Sequence, residues 1–124
     1  MKKNIVIMIV DDNVNFVKRM KGLLESLDGI GSINVAGDYD SAVRLLTEQT
    51  PDFLLLDINL PGKNGMEILK LIKNNKLKCE VIMITNHADD YYRHQCKKLG
   101  AKYFLDKSSE FGLVSEIISK QILN

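Results

Sequence analysis

Asp11 and Asp12 directly follow an apolar, strand-length run of residues. Asp57 follows another, Thr85 a third, and Lys107 stands just past a fourth. A lone carboxylate, an acidic pair, a hydroxyl and an ammonium make a set suited to phosphoryl transfer. That chemistry needs an in-line nucleophile, a metal to neutralise oxygens, and donors aimed at the transferred group. Asp57 is the candidate nucleophile, Asp11 and Asp12 are candidate metal ligands, and Thr85 and Lys107 are candidate donors to phosphoryl oxygens. Taken singly, each has an ordinary explanation: Asp caps a helix after a βα turn, Thr ends a strand, and Lys is solvated. Taken together they pose an electrostatic problem. Three carboxylates within about 5 Å of one another repel by roughly 3 kcal/mol per pair at an effective dielectric of about 20. A hard divalent cation with oxygen ligands relieves that repulsion. Magnesium (Mg2+) in particular is held by one or two carboxylates together with waters and phosphate oxygens.

For these side chains to meet, the chain between them must fold in a particular way. Five runs rich in apolar and β-branched residues have strand length: Ile5–Val10, Ile33–Ala36, Phe53–Leu56, Val81–Ile84 and Tyr103–Leu105. Four are nearly continuous in apolar character, as expected of parallel strands covered on both faces, and the shorter second run reads as an edge strand. Between them the spacing turns helical. Phe16, Met20, Leu23, Leu24 and Leu27 share one face of a first helix. Ala42, Leu45 and Leu46 mark a second; Met66, Leu69 and Ile72 a third; Tyr92, Cys96 and Leu99 a fourth; Phe111, Val114, Ile118 and Ile122 a fifth. Gly100 is placed to stop the fourth, and Thr50-Pro51 and Pro61-Gly62 punctuate the pattern. The sum is an α/β fold of (βα)5 type, with right-handed crossovers and a doubly wound parallel sheet. In such sheets ligands gather at the carboxyl ends of the strands, near the point where strand order reverses, and that is where all five side chains lie.

With 124 residues the chain has room for one core, so one domain over 1–124 with no output domain is expected. Hydrophobic residues make up 45% and charged residues 27%, which excludes disordered and fibrous classes. Lys and Arg total 17 against 16 Asp and Glu, so a formal net charge of +1 supplies no drive toward nucleic acid. The opening MKKNIVIMIV has a basic start and an apolar run. It stops at Asp11-Asp12 without a small-residue cleavage pattern, and so reads as a strand and not a signal peptide. No apolar stretch approaches the roughly 20 residues that span a membrane. Cys79 and Cys96 form no C-x-x-C pair, and buried free thiols in a reducing cytoplasm are the expectation. His87 and His94 have no carboxylate or cysteine partners at ligand spacing and read as surface residues, with His87 bordering the site. Tyr91, Tyr92 and Tyr103 suit either a docking surface or ordinary packing.

The acidic pair in IVDDN, the segment LLLDINLPGKNG, the threonine in VIMITN and the lysine in GAKYFLDKS occur in this order across the chain. In order and spacing they resemble the receiver domains of two-component response regulators. The resemblance implies a flavodoxin-like sheet of order 2-1-3-4-5 and phosphorylation of Asp57. It also implies direct magnesium ligation by Asp12 and Asp57, a water-mediated role for Asp11, and a backbone carbonyl ligand from Asn59. Pro61 and Gly65 match the turn that follows, and Phe104 matches an aromatic that moves when Thr85 engages phosphate. A receiver is a phosphoacceptor that catalyses its own phosphotransfer and dephosphorylation, and is not a turnover enzyme. The implied partners are a sensor histidine kinase or phosphotransfer protein as donor and a downstream target protein that reads the fourth helix, fifth strand and fifth helix. Direct DNA binding and membrane association are not expected. Two departures stand out: Ser108 follows Lys107 where receivers usually have proline, and Asn86 follows Thr85 where many have Ala or Gly. Ser108 or Ser109 is placed to cap the last helix.

Three other readings compete. A haloacid dehalogenase-type phosphatase uses the same residue types but needs a D-x-D after the first strand, and here Asn13 stands two residues after Asp11. A flavodoxin-like cofactor module needs backbone amides and hydroxyls in the first βα loop, where DDNVN supplies acids. A phosphorylation-independent pseudo-receiver is the stronger rival, although such domains tend to lose site residues and here all are present.

Overall fold

A computed structural model describes residues 4–123. Five strands alternate with five helices: β1 Ile5–Val10, α1 Val14–Glu25, β2 Ile30–Ala36, α2 Tyr39–Glu48, β3 Phe53–Leu56, α3 Gly65–Asn74, β4 Glu80–Thr85, α4 Asp90–Lys98, β5 Tyr103–Asp106 and α5 Leu113–Leu123. All strand pairs are parallel, and the sheet order is β2-β1-β3-β4-β5. The order reverses between β1 and β3, whose last residues, Val10 and Leu56, lie side by side.

The sheet divides the core in two because successive side chains on a strand point to opposite faces. Met8, Val10, Leu54, Leu56, Met83 and Phe104 pack toward α2, α3 and α4. Ile7, Ile9, Leu55, Ile82, Ile84 and Leu105 pack toward α1 and α5, where Phe16, Met20, Leu24, Val114 and Ile118 meet them. Covering on both faces explains the unbroken apolar runs of the inner strands.

Helix starts follow from capping chemistry. Asn13, Asp38, Asn64 and Asp89 each accept a hydrogen bond from a backbone N–H in the first turn of α1, α2, α3 and α4, each worth about 1 kcal/mol. Gly100, with φ of +103°, ends the α4 region where a side chain would be strained. Cys96 is buried and Cys79 half-buried, both free, and burial pushes both thiols up to about 11.

Two local expectations are corrected. β2 begins at Ile30 instead of Ile33, because Ile30 and Ser32 pair with β1 across a register shift next to Ile5. Ser108 and Ser109 do not cap α5, which begins at Leu113. Their backbone N–H groups donate to Asp106 Oδ1 at 2.8 and 3.2 Å, and Ser108 Oγ does so at 2.7 Å. The turn after β5 is therefore organised by Asp106.

Candidate phosphoacceptor site

The site forms at the carboxyl ends of β1, β3, β4 and β5. Asp57 N–H donates to the Val10 carbonyl at 3.1 Å, extending the β1–β3 ladder one step and bringing Asp57 beside Asp11 and Asp12. Lys107 N–H donates to the Thr85 carbonyl at 3.0 Å and does the same for β4 and β5. With β3 also paired to β4, strand pairing thus delivers all four chain segments to one edge before any side-chain contact is counted.

The carboxylates of Asp11, Asp12 and Asp57 each offer an oxygen, all within 4.8 Å of one another. Asp11 and Asp57 are buried and Asp12 is exposed. Lys107 Nζ lies 2.7 Å from Asp11 Oδ2 and 3.0 Å from Asp57 Oδ2, with its side chain only 9% exposed. Asp57 Oδ1 accepts from Ile58 N–H at 2.7 Å, and Asp11 Oδ1 from Asn13 N–H at 2.9 Å. Asp11 Oδ2 is different. Its neighbour is the Lys107 ammonium, an ionic contact, and among the described residues this buried oxygen has no other polar partner.

Burial, the largest influence, pushes the Asp11 carboxyl above its ordinary pKa. Lys107 and the Asn13 N–H pull it down, and the Asp57 charge adds to the rise. For Lys107, burial works against the charged form, but Asp11 and Asp57 together outweigh it and hold the ammonium above the ordinary lysine value. The site is therefore short of positive charge. An oxygen-only donor set with one buried oxygen held by an ionic contact alone suits a hard divalent cation.

A cavity of about 450 Å3 opens over this group, lined by Asp12, Asp57, Asn59, Asn86, His87 and Lys107 among others. Asn59 is thus at the mouth. Thr85 is fully buried and stands apart from the bonded group; its Oγ1 accepts from His87 N–H at 3.1 Å. Phe104 is 9% exposed within the α2–α4 half of the core. His87 and His94 are exposed, as expected.

The sequence over residues 7–119 matches the family described as response regulator receiver domain. The chain belongs to that family. This receiver domain is 36% identical over 106 residues to the transcriptional regulatory protein YdfI of Bacillus subtilis, an alignment covering 84% of this chain and 49% of that protein. The chain spans about half the length of the curated relatives it matches. The signal receiver domain of a DNA binding response regulator from Colwellia psychrerythraea superposes with a TM-score of 0.89 at 26% identity, covering 98% of this chain and all of that one. The Mn(2+)-bound form of response regulator Rcp1 gives 0.84 at 27% identity, covering 95% and 94%. Receiver domains are the signalling domains of two-component systems and interact with histidine kinases and downstream effectors. Among the described residues, no helix is long and apolar enough to cross a membrane.

Three structural contributors are not apparent from residue type and spacing. Arg93, on α4, lies with its guanidinium 4.9 Å from the Phe104 ring centroid and donates from Nη1 to the Phe104 carbonyl at 3.1 Å. The His87 N–H holds the Thr85 hydroxyl. Phe16 reads as a core residue of the α1 face, yet its ring faces Lys107 Nζ. Its one signal in the sequence is its position as the first aromatic after the acidic pair.

Proposed function

We propose that this receiver domain accepts a phosphoryl group on Asp57 in a magnesium-dependent reaction. The observation that carries the reading is the grouping of three carboxylates at the strand ends, two of them in contact with one ammonium. Asp12 and Asp57 would hold the metal directly and Asp11 mainly through water, with the Asn59 carbonyl completing the protein ligands. When bound, magnesium neutralises the carboxylates and the oxygens of the incoming phosphoryl group. The Mn(2+)-bound relative Rcp1 supports a divalent cation here.

The chain's own groups supply the rest. An Asp57 oxygen attacks phosphorus; a carboxyl O–P bond forms as the bond from phosphorus to the donor breaks, and the donor leaves with that electron pair. Ile58 N–H fixes one carboxylate oxygen, so the plane of the nucleophile is set before attack. Lys107 exchanges a carboxylate contact for a phosphoryl oxygen, and the Thr85 hydroxyl donates to another. Thr85 and Phe104 form the switch. When Thr85 turns toward phosphate it vacates space on the face that Phe104 shares, and the face of α4, β5 and α5 changes for a downstream target protein.

In this reading the domain is a self-catalysing phosphoacceptor and not a turnover enzyme. Its donor is a sensor histidine kinase or phosphotransfer protein, its location the cytoplasm, and it makes no direct contact with DNA or membrane. Mass spectrometry after incubation with a small phosphodonor tests it. The expected result is one phosphoryl adduct at Asp57, lost in Asp57→Ala and without magnesium. A wild-type protein that stays unlabelled beside a labelled control receiver overturns it.

A further inference from the structure

We propose that Phe16 is a positioning residue for Lys107, its ring face serving as the platform on which the ammonium rests. This rests on the reading of Lys107 as a donor to the phosphoryl group. Lys107 Nζ lies 4.5 Å from the Phe16 ring centroid while it contacts Asp11 and Asp57 at 2.7 and 3.0 Å. A lysine stem has four carbons and considerable rotamer freedom, so two carboxylates alone do not define where its head points. The negative face of an aromatic ring attracts the ammonium without competing for its proton. When Lys107 leaves Asp57 for a phosphoryl oxygen, the ring contact is the one that need not break.

The ring is itself held in place. Phe16 N–H donates to the Asn13 cap at 3.0 Å, and the side chain is 7% exposed. Phe111, four residues beyond Lys107, returns to place its ring at 86° to that of Phe16, with centroids 5.7 Å apart. The Arg19 guanidinium covers Phe111 at 4.5 Å. The segment after β5, with Ser108 where receivers usually carry proline, is thereby pinned to α1 through two side chains, Lys107 and Phe111.

Ring fluorination tests this with little change of shape. Fluorinated phenylalanines incorporated at position 16 weaken the negative ring face in steps, and the rate of Asp57 labelling at saturating phosphodonor is followed. The expected result is a stepwise fall reaching about fivefold with the most fluorinated ring, with unchanged magnesium half-saturation. In a Lys107→Met background the dependence on fluorination should vanish. A flat rate across the series, or an equal fall in the Lys107→Met background, overturns the proposal. The Lys107 ammonium NMR resonance, measured without phosphodonor, should also move along the series, and a fixed resonance counts against the platform. If the wild type labels while the series is flat, the platform alone fails; if the wild type does not label while the resonance moves, the Asp57 reading alone fails.

Discussion

Gly65 and Asp57 meet backbone to backbone. A Cβ on Gly65 would stand 3.0 Å from the Asp57 carbonyl carbon and closer still to its oxygen, while Gly65 N–H donates to the Ile58 carbonyl at 2.7 Å. The first residue of α3 is therefore wedged against the strand end that carries the nucleophile. Gly65→Ala must push the two apart. The expected loss is about 1–3 kcal/mol, as for other overpacked sites, measured by urea unfolding, with weaker magnesium binding by calorimetry. Wild-type values in both would show that this strand end yields freely.

Asp11 predicts an opposite sign for stability. Because burial holds its carboxyl above the ordinary pKa, the folded chain binds that proton more readily than the unfolded chain. The metal-free protein therefore gains stability as pH falls through the folded pKa toward the unfolded one. Asp11→Asn removes the buried charge. Its melting temperature in a chelator should rise, while the extra stabilisation given to the wild type by magnesium should shrink. A lower melting temperature without metal would contradict this assignment of strain.

Lys107 sets the alkaline limit. Its folded pKa is raised, chiefly because Asp11 and Asp57 overcome the burial penalty. Its contribution is therefore complete below the unfolded value and lost as pH rises through the folded one, above 10.5. Metal-free wild type should lose stability in that window, and Lys107→Met should lack this component. Denaturation curves of both proteins taken through that window provide the check. Parallel pH profiles would mean that the ion pairs contribute nothing.

Thr85 and Phe104 predict a separation of chemistry from response. Thr85→Ala should still label at Asp57 but show a smaller NMR shift change around Phe104 and α4. A hydrogen bond to a charged oxygen contributes about 1.5–3 kcal/mol, and a full reversal from about 1:99 to 99:1 needs roughly 5.5 kcal/mol. Arg93→Ala, by removing the cover over Phe104, should broaden that ring's resonances before phosphorylation. A full wild-type response in labelled Thr85→Ala would remove Thr85 from the route.

The strands were legible because burial on both faces leaves an unbroken apolar run, and the site because parallel βα topology sends every strand's carboxyl end to one edge. Distances were not. Nothing in residue type separates Asp11 Oδ2, whose neighbour is the Lys107 ammonium, from Asp11 Oδ1, which accepts from a backbone N–H. β2 is longer than its apolar run because Ile30 and Ser32 join through backbone pairing, which side-chain patterns do not record. Apolar spacing likewise showed Phe16 as core, since a ring buried edge-on and a ring presenting its face to an ammonium have the same periodicity. Serines after a strand look like caps until a neighbouring aspartate claims their N–H groups, as Asp106 does.

The sheet keeps two lines of influence apart. Phe104 belongs to the half of the core beneath α2, α3 and α4, and Phe16, the ring that Lys107 touches, to the half beneath α1 and α5. One modification at the strand ends thus borders both halves of the core. Changes of residue in one layer should combine additively with changes in the other, as for sites that share no contacts. The proposed output face draws on both halves, so residue changes on its α4 side can diversify it while the α1 and α5 side, where Lys107 rests, is inherited intact.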